Sequence, residues 1–221
     1  MSTYYLTGTD TDAGKTLVTC ALLRAFRADG KTAVGMKPVA SGCVMTPDGW
    51  RNDDALQLQA HSEPRPDYES INPYALAEAT APEIAAEHAG VTVSMLTIES
   101  AFLALQASAE VVLIEGVGGW MAPLATGLDQ CELARRCGAD VILVVGMRLG
   151  CINHARLTAR AVIADGCELR GWIATAVDPD LAYAEEYFQL LKTALPVPCL
   201  GRLPHMAAPK ADVLAGHLRL P

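Results

Sequence analysis

"GTDTDAGKTL", residues 8–17, lies between the apolar run "YYLT" and a stretch with helical spacing. A strand, a glycine turn and a helix in that order form the setting in which backbone amides cradle a phosphate. The spacing is unusual. The common loop, G-x-x-x-x-G-K-[ST], holds four residues between its glycines, whereas Gly8 and Gly14 enclose five, Thr9 to Ala13. Gly-Lys-Thr nevertheless closes the loop where the helix opens, so the N–H groups of Ala13, Gly14, Lys15 and Thr16 are expected to face an anion. Lys15 would reach the outer phosphates and the Thr16 hydroxyl would bind Mg²⁺. The bland alternative is a glycine turn before a helix capped by Thr11 or Asp12. The strand-to-helix placement of Gly-Lys-Thr favours a nucleotide.

The rest of the chain supplies matching strands. After "YYLTG" (4–8) a helix is predicted from about Gly14 to Asp29, and "TAVGMKPV" (32–39) follows the Gly30 turn. "VVLIEG" (111–116) and "VILVVG" (141–146) are short, β-branched and closed by glycine; "RGWIATAV" (170–177) and "VPCLGRLP" (197–204) complete the set. Unbroken apolar runs suit strands covered on both faces. Helical stretches between them favour parallel pairing through right-handed crossovers. The expected architecture is one α/β domain over residues 1–221, a doubly wound, mostly parallel sheet with helices on both faces. Ser41 to Pro82, rich in Pro, Asp and Asn, is the least regular part, and such stretches are often functional.

Composition narrows the function. The 221 residues are 51% hydrophobic, enough for a sizeable core, and no apolar run reaches the length of a spanning helix, ~18 residues. "MSTYYLTG" lacks the basic and apolar regions of a secretory signal. Seven cysteines, odd in number, scattered and without C-x-x-C, read as reduced thiols of a cytoplasmic protein, and their spacing does not suit a zinc site. Net charge is −8 and no basic stripe points to nucleic acid. A small-molecule enzyme, without a membrane or nucleic-acid partner, is the expectation.

In an open parallel sheet, ligands bind beyond the carboxyl ends of the strands, and the polar candidates fall there. Glu115 ends "VVLI" before "GVGG" and is a carboxylate that Mg²⁺ would take beside phosphate oxygens; the alternative is an exposed strand-end acid. Asp54, in "RNDDALQL", begins a short helix; Asp53 or Asp54 could equally be its cap. Lys37, before Pro38, would neutralise charge in phosphoryl transfer, or else is a solvated lysine. Ser41 lies near it and means nothing alone. Gly150 and Asn153 of "LGCINHA" begin a helix whose N-terminus would take a substrate carboxylate, or is simply a helix start. His154 reads as a packed or surface residue, and Tyr183 and Tyr187, at i, i+4, as packing residues of one helix face.

These residues converge on a family. "GTDTDAGKT", "KPVASG", "RNDDALQLQ", "NPY" with "APEIAA", "IEGVGGW", "VILVVGMRLGCINHA" and "GWIATAV", in one order from about residue 4 to 205, resemble dethiobiotin synthetases of biotin synthesis. The five-residue loop spacing also resembles that family. The resemblance implies a P-loop NTPase-like fold and a homodimer with its substrate site at the subunit interface. It also implies ATP-dependent closure of 7,8-diaminononanoate and CO₂ to dethiobiotin through a carbamate and a carbamic–phosphoric anhydride. It implies catalytic roles for Lys15, Lys37 and Thr11, and Mg²⁺ held by Thr16, Asp54 and Glu115. Nucleotide contacts would come from Asp12, Ala13, Gly14, Lys15, Thr16, Leu17, Glu115, Gly116, Val117 and Gly118, with Thr175, Ala176, Pro204 and His205 near the base. Substrate contacts would come from Ser41, from Gly150, Cys151, Ile152 and Asn153, and from Tyr187 of the partner subunit. Two positions depart from the family: Asp12 stands where glutamate is common, and Thr175 where an asparagine would read adenine. A Thr hydroxyl cannot offer both an amide donor and a carbonyl acceptor.

Two other readings share the loop and the sheet. A nucleotide-driven switch ATPase would hydrolyse ATP without a diamine, and "KPVASG" and "GCINH" argue against it. An amidating ligase of cobyrinate type would carry a glutaminase domain, for which 221 residues leave no room.

Overall fold

Val111 and Leu113 pack into one hydrophobic core, Val112 and Ile114 into another, and all four are buried. Val141, Leu143 and Val145 join the second core while Ile142 and Val144 join the first. Successive strand side chains point to opposite faces, so the unbroken apolar runs mark strands buried on both sides. Each fully buried Leu or Ile contributes about 1.5–3 kcal/mol.

In the computed structural model, which describes residues 1–221, the order is β1 (Ser2–Gly8), α1 (Lys15–Ala28), β2 (Ala33–Met36), β3 (Val39–Ala40), β4 (Val44–Thr46), β5 (Gly49–Arg51), α2 (Asp53–His61), α3 (Tyr68–Ile71), β6 (Tyr74–Ala75), α4 (Pro82–His88), α5 (Met95–Ser108), β7 (Val111–Gly119), α6 (Gln130–Arg136), β8 (Asp140–Gly146), α7 (Cys151–Ala164), β9 (Leu169–Thr175), α8 (Ala184–Ala194), β10 (Cys199–Leu203) and α9 (Ala211–Ala215). Six strands form one sheet in the order β10-β9-β8-β1-β7-β2, every pair parallel. The chain leaves β1 for the edge at β2, returns to β7, then crosses to β8 on the other side of β1. The carboxyl ends of β1, β7 and β8 therefore flank the point where the order reverses, the usual ligand crevice. No helix is long and apolar enough to cross a membrane.

The predicted strands are present with shifted ends, and the difference at 32–39 matters. The strand stops at Met36 because Pro38 has no N–H to give a ladder. Beyond it Val39–Ala40 pairs with Tyr74–Ala75 instead. At the break the backbone of Lys37 is held by Ile71 O (2.8 Å) and by Asn72 Nδ2 (2.7 Å). The irregular stretch after Ser41 contains the β4–β5 hairpin and α2 and α3. Neither Asp53 nor Asp54 caps α2: Asn52 does, its Oδ1 accepting from Ala55 N at 3.2 Å. Neither Thr11 nor Asp12 caps α1; Gly14 takes that position without a side-chain bond. Tyr183 is exposed, left-handed (φ 59°) and precedes α8, so it shares no helix face with Tyr187.

Candidate active site

The loop 9–14 is pinned from below and from both sides. Thr9 N donates to Val144 O at 2.9 Å, and Gly146 N donates to the Thr9 hydroxyl at 3.3 Å. Ala13 is buried over Gly146, where a Cβ would lie 3.1 Å from Ala13 Cα. Arg148 reaches Asp10 Oδ2 at 3.1 Å and Thr11 O at 3.2 Å. Asp12 is left-handed (φ 57°), a conformation that aspartate tolerates better than most residues. The amides of Ala13 and Gly14 have no acceptor within the protein, and those of Lys15 and Thr16 stand in the first helical turn, where no carbonyl is available.

Beside the loop lies a cavity of about 780 Å³. Its wall includes Thr11, Asp12, Gly14, Lys15, Thr16 and Leu17 from the loop and α1, Lys37 and Ser41 beyond β2, Asp54 of α2, and Glu115, Val117 and Gly118 of β7. The wall also includes residues given no site role in the sequence, among them Asn52, Gln57, the segment 79–82, and Pro209. Ala13 and Gly116 are buried immediately behind this wall.

Charge is concentrated in its floor. Lys37 Nζ lies 2.6 Å from Glu115 Oε1 and 3.1 Å from Asp54 Oδ2. Thr16 Oγ1 donates to Glu115 Oε1 at 2.9 Å, and Thr19 Oγ1, which donates to Lys15 O at 2.8 Å, lies 3.2 Å from Glu115 Oε2. Glu115 is 1% exposed and Lys37 6%. Burial pushes the Lys37 ammonium down, but the charges of Glu115 and Asp54 outweigh it and hold its pKa above the usual value. Burial likewise pushes the Asp54 carboxyl up, and Lys37 overcomes it, leaving the pKa low. Lys15 has no such partner: its Nζ donates to Asp10 O (3.1 Å) and Gly118 O (2.7 Å). Burial, and then the charge of Lys37, lower its pKa from 10.5 to about 8. Two carboxylates and a hydroxyl are the hard oxygen donors that Mg²⁺ selects, so Thr16, Asp54 and Glu115 fit such an ion.

Gln130 is the residue that sequence reasoning missed most completely. It is fully buried and accepts from the Tyr5 hydroxyl at 3.0 Å, and its Nε2, with two N–H bonds to give, lies within reach of the carbonyls of Val117 (2.9 Å), Gly119 (2.6 Å) and Ala122 (2.8 Å). It thereby shapes the end of β7, which carries Gly118, and the turn that follows.

The other candidates lie apart from this cavity. Gly150 and Asn153 are exposed and Cys151 is buried at the head of α7, with Gly150 left-handed (φ 93°). Ile152 and Tyr187 are half-buried against the core. None of these five lines it. Pro204 and His205 are exposed, with His205 Nδ1 3.2 Å from Ala176 O. Thr175 is buried beneath the loop, its hydroxyl donating to Ala13 O at 2.5 Å. His154 is exposed over an apolar surface hollow with Trp120 and Leu157.

A parallel sheet whose first strand runs through a glycine loop into Lys-Thr at a helix head defines a P-loop nucleotide-binding protein. The fold agrees: the MinC:MinD cell division complex of Aquifex aeolicus aligns with 94% of this chain and 83% of its own at a TM-score of 0.56 and 11% identity. The signal recognition particle receptor FtsY of Elizabethkingia anophelis aligns at a TM-score of 0.54 and 18% identity over 96% of this chain and 61% of its own. A family model described as an AAA domain matches residues 2–211. The ATP-dependent dethiobiotin synthetase BioD of Xanthomonas campestris pv. campestris (strain ATCC 33913) is 56% identical over 99% of this chain and 97% of its own. Its counterpart from Xylella fastidiosa (strain 9a5c) is 55% identical over 93% of this chain and 91% of its own. The chain belongs to the ATP-dependent dethiobiotin synthetase family. It is an ATP-dependent ligase of biotin biosynthesis that acts on a small molecule, with ATP as co-substrate.

Proposed function

We propose that this chain, folded as one domain, closes 7,8-diaminononanoate with CO₂ to dethiobiotin, ADP and phosphate. The observation that carries the reading is the meeting of two buried lysines and two carboxylates in one cavity beside the phosphate loop. One amine of the diamine takes up CO₂ and loses a proton, giving a carbamate. A carbamate oxygen attacks the γ-phosphorus of ATP as the bond to the β-phosphate oxygen breaks, and ADP leaves. The second amine then attacks the carbamoyl carbon, expels phosphate, loses a proton and completes the five-membered urea.

The chain's part is placement and charge. Loop amides from Ala13 to Thr16 hold the phosphates. Lys15 and Lys37, with Thr11 assisting, offset charge on the transferring phosphoryl, where electrostatics supply most of the rate. Thr16, Asp54 and Glu115 would hold Mg²⁺, which would supply positive charge to offset that of the phosphates. Ser41 faces the carbamate or diamine end, and holding both amines close to the anhydride is the main contribution to closure. The distal carboxylate would take the α7 head, Gly150 to Asn153, with Tyr187, across a homodimer interface; none of these residues lines the cavity within one chain. Ala176, Pro204 and His205 border the base. Reduced thiols suit a cytoplasmic setting.

Phosphate release from MgATP, measured with and without 7,8-diaminononanoate and bicarbonate, tests this. Release that requires the diamine is expected. Steady hydrolysis indifferent to it would replace the synthetase with a switch ATPase.

A further inference from the structure

Three carbonyls of the phosphate loop are tied by side-chain donors: Asp10 O by Lys15 Nζ, Thr11 O by Arg148 Nη2 and Ala13 O by Thr175 Oγ1. The third tie differs from the others. Lys15 and Arg148 are long and flexible, whereas Thr175 is the last residue of β9, 2% exposed, with a short β-branched side chain of little freedom. Its hydroxyl gives its one proton to Ala13 O at 2.5 Å, with Val145 O a more distant acceptor at 3.2 Å. Nothing remains for an acceptor on a base.

The consequence lies one atom further on. The Ala13–Gly14 peptide is trans, so its C=O and N–H point in opposite directions. Holding Ala13 O down against the end of β9 aims the Gly14 N–H up into the cavity, whose wall Gly14 forms. That amide has no protein acceptor. Gly14 also has φ 89°, and glycine moves readily between backbone regions, so an untethered peptide here would turn at little cost. The contact is close as well as polar: a Cβ on Gly14 would sit 3.2 Å from Thr175 Cγ2, so the loop rests on this side chain.

We infer that Thr175 is a positioning residue of the phosphate loop, orienting the Gly14 amide towards the nucleotide's phosphates rather than reading its base. The inference rests on the loop's binding of phosphates. It makes the effect of Thr175 independent of the base.

The full chain and its Thr175→Val, Thr175→Ala and Thr175→Ser variants are titrated calorimetrically with ADP, GDP and inorganic pyrophosphate. Thermal melts and steady-state kinetics for ATP accompany them. Loss of one well-placed hydrogen bond corresponds to about tenfold in affinity. Val and Ala are expected to weaken all three ligands by about that factor. They should raise KM for ATP while leaving kcat nearly unchanged, the signature of uniform binding. Ser, which keeps the donor, should restore binding. If Val does not fold, the Ala and Ser pair decides. Weakened ADP with unchanged pyrophosphate would make Thr175 a base reader and overturn the inference, as would unchanged affinity in a folded Val or Ala variant. Wild-type protein that binds neither ADP nor pyrophosphate would remove the loop reading itself.

Discussion

Lys37 Nζ sits 2.6 Å from Glu115 Oε1, and both side chains are buried from water. The pair joins the kink after β2 to the middle of β7 and faces the cavity that the phosphate loop borders. Removing one member of a buried pair costs about 3–5 kcal/mol, because the other charge is left without compensation. Lys37→Met should therefore lower the melting temperature, and millimolar Mg²⁺ should recover part of the loss by replacing the missing positive charge between Asp54 and Glu115. Diamine-dependent phosphate release should fall by about 10²–10³, the range for losing one charge-stabilising group. A melting curve of Lys37→Met that matches wild type, or that ignores Mg²⁺, would contradict this account of the pair.

Lys15 gives a pH prediction. Its pKa is lowered to about 8, by burial first and by Lys37 second, so the ammonium proposed to meet the phosphates is lost in the free enzyme as pH rises through that value. The profile of kcat/KM for ATP reports groups of the free enzyme and should bend downward near pH 8. Lys15→Arg, whose guanidinium stays charged, should be less active yet lack the bend. Stability carries the opposite sign. Between the folded pKa of about 8 and the usual value of 10.5 the unfolded chain binds the extra proton, so the Lys15 contribution to stability grows with pH across that window. A wild-type profile flat to pH 9.5 counts against the buried, unpaired lysine.

Sequence carried the parts of the fold and site that depend on local signals. Apolar runs such as 111–114 and 141–145 specify strands buried on both faces, and Gly-Lys-Thr at a strand-to-helix junction specifies the loop. Lys37 was legible because Pro38 marks the strand's end, although the break and the new pairing of Val39–Ala40 with Tyr74–Ala75 depend on contacts far along the chain. A cap was legible at the start of α2, but the sequence pointed to Asp53 or Asp54, and the residue that takes the position is their neighbour Asn52. The function of Thr175 was hidden because its acceptor, Ala13 O, is 162 residues away. Gln130 was hidden for the same reason: its partners, carbonyls of the end of β7 and the turn after it, carry no side-chain signature.

Gln130→Leu tests that hidden support. Leucine fills a similar volume but leaves the carbonyls of Val117, Gly119 and Ala122 and the Tyr5 hydroxyl without this partner. Each buried polar group left unpaired costs about 1–3 kcal/mol, so the variant should melt well below wild type. Since Gly118 O also receives Lys15 Nζ, displacement of this end of β7 should raise KM for ATP in whatever fraction stays folded. Gln130→Glu keeps the acceptor for Tyr5 but not the donors, and should retain little of the stability.

Asp54 and Glu115 face the same ammonium from different depths, which separates their roles by experiment. The Asp54 side chain is 38% exposed and that of Glu115 is 0% exposed. Water can replace what Asp54→Asn loses, so its effect on stability should stay near the value for exposed pairs, under about 1 kcal/mol. Its effect on Mg²⁺ should be larger. With one of the two carboxylates gone, the Mg²⁺ concentration for half-maximal phosphate release should rise by about tenfold, equivalent to one charge-assisted contact. Glu115→Gln should lose on both counts, because Lys37, Thr16 and Thr19 all converge on its oxygens inside the protein. Unchanged Mg²⁺ dependence in both variants would mean that the ion is held elsewhere, leaving the Lys37 pair a structural feature of the crevice.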